Sequence, residues 1–112
     1  MSGDVETLAR RVKGGDRQAF AELYAATQRE LRIFVSAYAA SPEMVDEVLQ
    51  AAYVSCWHSI GNYEPRGTFL AWLKGIARHH LLKALREQSR SVPLDRLVCE
   101  EALGRIERAP SD

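Results

Sequence analysis

The sequence has little sulfur, and what it has is scattered. Cys56 and Cys99 are its two cysteines. They form no CxxC pair and have no His or Cys near them at metal-ligand spacing, which argues against a zinc site or a disulfide framework and for reduced, structural thiols. Apolar runs are short. No segment approaches the roughly 20 apolar residues that a membrane span needs, and the opening MSGDVETLARRVKGGD has no apolar stretch followed by a cleavage site. A cytoplasmic protein without a membrane span is expected. The histidines are His58 and the adjacent pair His79 and His80, without His-x-x-x-His spacing, and neither a nucleophile elbow nor a P-loop is present. Asp46-Glu47 is no catalytic carboxylate pair, because helix neighbours diverge by about 100° and cannot share one substrate atom. Neither an enzyme nor a cofactor is expected.

What is present suits one modest domain: 112 residues, 46% apolar and 27% charged. The formal net charge is zero, so bulk charge says nothing about a polyanionic partner. Its distribution says more. Residues 41–61 carry the acids Glu43, Asp46 and Glu47 and no Lys or Arg, whereas residues 62–96 carry Arg66, Lys74, Arg78, Lys83, Arg86, Arg90 and Arg96 against Glu64, Glu87 and Asp95.

Strand signals are scarce and helical spacing is nearly continuous, punctuated at Gly14-Gly15, Ser41-Pro42, Gly61-Asn62 and Pro65-Arg66-Gly67. Four helices follow. The first, about Val5 to Lys13, turns Val5, Leu8, Ala9 and Val12 inward and closes on glycines able to adopt positive φ. Asp16 is placed to cap the second, with its long stripe of Phe20, Leu23, Tyr24, Thr27, Leu31, Phe34, Val35 and Tyr38. Ser41-Pro42-Glu43 starts the third, since Ser accepts from free amides, Pro suits the first turn and Glu favours the positive end of the dipole. Val45, Val48, Leu49, Ala52, Tyr53, Cys56 and Ile60 share its apolar side, leaving Asp46, Glu47, Gln50 and Ser55 on a polar one. After a loop over residues 62–68, the fourth helix turns Phe69, Trp72, Leu73, Ile76, Ala77, Ala84 and Leu85 inward, with His80 at the centre of that stripe as a hydrogen-bonded core histidine. Phe34 and Trp57 are expected to be buried. Beyond Pro93, Leu94, Leu97, Leu103 and Ile106 allow a short fifth helix or a frayed linker. The fold class is all-α, a compact bundle of about four helices with that tail.

The polar side of the fourth helix is cationic: Lys74, Arg78, Arg86 and Arg90 point away from the core. On a 100° wheel Trp72, His79, Lys83, Arg86 and Arg90 cluster at one border of the apolar stripe, and the preceding loop adds Tyr63, Arg66 and Thr68. Aromatics interleaved with cations form a surface that single-stranded nucleic acid prefers, through base stacking and phosphate contact.

The order GD-x-x-AF-x-x-LY, then a DE-x-x-Q helix ending in Trp, then F-x-AWL-x-x-IAR and a basic run resembles domain 2 of bacterial sigma factors, nearest the extracytoplasmic-function type, over Val5 to Arg90. The resemblance implies that residues 1–90 are sigma domain 2 and that residues 91–112 begin a linker to a helix-turn-helix domain not seen here. It further implies that Asp46, Glu47, Gln50 and Ser55 dock on the β′ clamp helices of RNA polymerase. Ala51 departs from the pattern, which usually has an acid after the Gln. The loop from Tyr63 to Thr68 matches one that captures a base flipped out of the promoter minus-ten element. His79 takes a position where such proteins commonly carry Asn. The implied partners are core RNA polymerase, the non-template strand of promoter DNA and an anti-sigma factor. Two rival readings are a sigma mimic that only sequesters an anti-sigma factor and a helical protein that binds DNA alone; zero net charge and the lack of a helix-turn-helix pair speak against the latter.

Overall fold

Gly15 has φ 100°, a left-handed conformation that a Cβ resists, and it lets the chain leave α1 (Val5–Lys13) and enter α2 (Arg17–Ser36) within a tight turn. Asp16 then caps α2: its carboxylate accepts from the Ala19 amide at 3.1 Å and from the Arg11 guanidinium at 2.9 Å. Those bonds favour the charged form and hold its pKa below the usual carboxylate value, the Ala19 amide first. At α3 (Pro42–Ser59) the Ser41 hydroxyl accepts from the Met44 amide at 3.1 Å, with Pro42 in the first turn.

The coordinates are a computed structural model that describes residues 4–65 and 68–109. After α3 a short 3-10 turn, Ile60–Asn62, leads to the connection before α4 (Phe69–Ser91); a second such turn, Pro93–Asp95, leads to α5 (Arg96–Arg108). The fold is all-α, and no strand occurs among the described residues. No helix among them is long and apolar enough to cross a membrane.

The core is one cluster to which every helix contributes. Leu8, Leu23, Leu31, Val48, Cys56, Phe69, Leu81 and Ile106 are among its fully buried members. One polar pair sits inside it. The Thr27 hydroxyl donates to the Leu23 carbonyl at 2.8 Å and bonds the Tyr53 hydroxyl at 2.7 Å, joining α2 to α3. Burial pushes the Tyr53 phenol up to about 12. Val45, Val48, Leu49, Ala52, Tyr53, Cys56 and Ile60 are all buried, as their spacing predicts.

Helix α4 departs from the wheel. Its fully buried row is Phe69, Leu73, Ala77, Leu81 and Leu85, while Trp72, Ile76 and Ala84 are only partly covered and His80 lies at the edge rather than the centre. A row at every fourth residue precesses about 40° per step around a helix of 3.6 residues per turn. It therefore meets different neighbours along its length, and α4 packs against α1, α2, α3 and α5. The segment expected as a short fifth helix or a frayed linker is a helix whose Cys99, Ala102 and Ile106 are buried; of the residues that suggested its periodicity, Ile106 is buried and Leu103 packs against the core, while Leu94 at 93% and Leu97 at 79% exposure point out. Arg105 fastens α5 to the end of α2, donating to the Ala37 carbonyl at 3.1 Å and lying over the Tyr38 ring.

Candidate interaction surfaces

Successive positions on α3 diverge by about 100°, so its polar residues form two rows, and the bundle turns them to different neighbours. Asp46 and Gln50, with Val54 and His58 at the same spacing, line a groove of about 730 Å³ against α2. Its floor is apolar: Phe20, Tyr24, Leu49, Tyr53 and Trp57. The rings pack edge to face, Phe20 on Trp57 at 5.1 Å between centroids and Tyr24 on Tyr53 at 4.7 Å. Arg17 and Arg32 complete the lining, and Arg32 reaches the Asp46 carboxylate at 3.0 Å. Trp57 and Phe34, expected inside, are half-buried; Trp57 instead forms part of this groove.

The other row, Glu47, Ala51 and Ser55, faces α4. Glu47 and Ala51 share a shallow cleft with His80, Lys83 and Glu87. The Ser55 hydroxyl shares a hydrogen bond with His80 Nε2 at 2.7 Å, so it is engaged within the bundle rather than presented to a partner. Thus the four residues expected on one docking face are divided: Asp46 and Gln50 on the α2 side, Glu47 and Ser55 on the α4 side. The His80 pKa is held below the ordinary histidine value, by burial first and then by the neighbouring His79 and Lys83.

Beside this cleft, Trp72, Gly75, Ile76 and His79 of α4 form a third hollow with Ser55 and Ser59 of α3. Trp72 and His79, two of the expected DNA-binding residues, are therefore brought together. Lys83, Arg86 and Arg90 are exposed further along the helix, as is Thr68 at its start. Arg66 lies outside the described residues. Tyr63 does not fit the expected surface. It is 3% exposed, and its ring packs against Phe69 at 5.3 Å and Trp72 at 5.1 Å. A ring so enclosed has no free face on which a base could stack, so Tyr63 supports Trp72 instead. Its pKa is raised, by burial first and then by Glu6.

Two parts of these surfaces escape sequence reasoning. Val54 is an apolar residue between Gln50 and His58 on the polar side of α3, 52% exposed; its misplacement in the pattern was the signal for the groove. Glu6 and Lys13 of α1 reach Tyr63, just after the turn that follows α3, and Glu6 also reaches the start of α4. Lys13 Nζ donates to the Tyr63 carbonyl at 2.6 Å, and Glu6 accepts from both the Tyr63 hydroxyl and the Phe69 amide. No local pattern announces contacts across such separations. No group of His, Cys, Asp and Glu among the described residues could hold a metal ion.

A helical bundle with these surfaces agrees with a sequence match: residues 23–91, more than half of the chain, fit the sigma-70 region 2 family. The chain belongs to that family and is of the extracytoplasmic-function type. The ECF RNA polymerase sigma factor SigK of Mycobacterium sp. (strain KMS) is 31% identical over 86 residues, covering 76% of this chain and 45% of that protein. The protein of the same name from Mycobacterium tuberculosis (strain CDC 1551 / Oshkosh) is 29% identical over 103 residues, 91% of this chain and 49% of that protein. The chain spans about half the length of these curated relatives. No solved structure matches it significantly.

Proposed function

We propose that this chain is the part of a transcription initiation factor that docks on the β′ clamp helices of RNA polymerase and captures the non-template strand of the promoter minus-ten element, helping to melt it. The α2–α3 groove carries the reading. An apolar, aromatic floor with Arg17, Arg32, Asp46 and Gln50 at its border has the form of a helix-accepting hot spot, in which buried rings supply affinity and the polar border fixes orientation. The Arg32–Asp46 pair is largely exposed and contributes little to folding, so both charges can be re-paired with a partner. The row with Ala51 lies on the other side of α3, and the missing acid leaves this groove unaltered.

The basic edge of α4 is the complementary surface. Opening a base-pair step costs about 1.4 kcal/mol on average, and stacking a freed base on an aromatic returns about 1–3 kcal/mol, so capture offsets a short melted tract without a catalytic residue. Thr68, Trp72, His79, Lys83, Arg86 and Arg90, together with Arg66, are the contacts on this reading; Tyr63 acts from beneath. The test is a pull-down with a β′ clamp-helix fragment. Val54→Glu and Tyr24→Ala, both at solvent-exposed positions, should each weaken capture at least about tenfold, the scale of a hot-spot loss. Equal capture by both variants refutes docking through this groove. A chain that ignores the fragment but binds an anti-sigma factor would be a sigma mimic.

A further inference from the structure

Helix α4 begins without a cap of its own: Thr68 makes no side-chain hydrogen bond to the first turn. The acceptor comes from elsewhere. Glu6 on α1 takes the Phe69 amide on Oε2 at 2.8 Å and the Tyr63 hydroxyl on Oε1 at 2.5 Å. The second distance is that of a charge-assisted O–H···O⁻ bond. One carboxylate thereby holds both ends of the connection that precedes α4, and Lys13, two turns along the same helix, holds the Tyr63 carbonyl at 2.6 Å. From Tyr63 the contact passes to Trp72, its ring tilted by 47° at 5.1 Å, and Trp72 borders the hollow that holds His79. Helix α1 lies wholly before the residues that match the family.

We propose that Glu6 is a positioning residue for nucleic-acid recognition: by gripping Tyr63 and Phe69 together it sets the pose of Trp72 beside His79, and so the base preference of that hollow. The proposal rests on the reading of α4 as the DNA-binding edge. Glu6 itself touches no nucleotide. Its influence is exerted through Tyr63, so removing the carboxylate and removing the phenolic hydroxyl should have overlapping rather than additive effects. General affinity depends instead on the Lys and Arg contacts with phosphate, which Glu6 does not make.

The experiment compares Glu6→Ala, Glu6→Gln, Tyr63→Phe and the Glu6→Ala/Tyr63→Phe double variant of the full chain. Amide hydrogen exchange reads the grip directly. In Glu6→Ala the Phe69 amide should exchange at least about tenfold faster while amides in the middle of α3 keep their protection; unchanged exchange at Phe69 overturns the proposal whatever the DNA results. Anisotropy with core polymerase and single-stranded minus-ten oligonucleotides, varied one base at a time, reads the consequence. Glu6→Ala and Tyr63→Phe should each cut discrimination at one position by about tenfold or more, the worth of one hydrogen bond to a charged group, and the double variant should do no more than either. Glu6→Gln, which keeps an acceptor oxygen, should recover part of it. The salt dependence should not change. A uniform loss across all bases, or full additivity, would leave Glu6 a stabilising residue only and overturn the proposal. Wild-type chain lacking any base preference would refute the DNA-binding reading itself.

Discussion

Thr27 has a single hydroxyl proton, which it gives to the Leu23 carbonyl, so the Tyr53 phenol must be the donor in the bond between them. Replacing Thr27 by Val keeps the shape and leaves that buried phenol without an acceptor. A loss of about 1–3 kcal/mol in urea unfolding is expected, and a smaller one for Tyr53→Phe, which leaves Thr27 its carbonyl partner. Equal losses would show that water replaces the missing partner. Two neighbouring groups also make stability depend on alkaline pH. Burial raises the Tyr53 phenol from 10.0 to about 12 and the Cys56 thiol from 9.0 to about 12. Between those values the unfolded chain has released protons that the folded one retains, so stability is complete below about 9 and falls as the pH climbs toward about 12. Cys56→Ala should reduce the part of the decline that begins near 9, to which the buried Cys99 thiol also contributes, and leave the part beginning near 10. An unaltered profile in that variant would mean the thiol is not the group responsible.

Among the helices, those with local signals are the legible ones. Asp16 and Ser41-Pro42 mark the starts of α2 and α3 through bonds made within three residues, and the turn at Gly15 has the positive φ that its glycines suggest. Helix α5 is different, because only Leu103 and Ile106 of the apolar residues that suggested it pack inward. Leu94 and Leu97 suggest a buried stripe yet face solvent, while the inward positions hold the smaller Cys99 and Ala102 with Ile106. Ile106→Ala should cost about 2–5 kcal/mol by cavity formation, whereas Leu97→Ala should stay within about 0.5 kcal/mol. Thermal melts of the two variants decide whether residues 96–108 are part of the folded body. A tethered linker would leave both melts unchanged.

At the scale of the whole molecule, zero net charge conceals an arrangement that the bundle makes useful. The acid-bearing α3 and the base-bearing α4 lie against each other, so Glu47 and Lys83 line one cleft, while Arg86 and Arg90 remain exposed beyond it. If that edge follows a phosphate backbone, Lys83→Ala and Arg86→Ala should weaken polymerase-bound chain on every sequence. Each should also flatten the log–log salt dependence, by about 0.7 for every single-strand phosphate that is no longer neutralised. Oligonucleotide titrations across a salt series measure this, and a slope that stays fixed in both variants would remove those side chains from the interface.

The helical class, the starts of α2 and α3, the inward side of α3 and the motifs shared with sigma factors are all determined by residues close together in the chain. Spacing, capping and glycine conformations act over one or two turns, so they can be read without knowing what packs where. Tertiary structure alone decided the rest. It divided Asp46 and Gln50 from Glu47 and Ser55, because residues 100° apart on one helix meet whichever neighbours the bundle supplies. It put His80 at an edge and Leu81 in the buried row of α4, a helix that packs against α1, α2, α3 and α5. It also buried Tyr63 beneath Trp72 and brought Glu6 from 57 residues away to hold it, a contact that exists only once the chain has closed on itself.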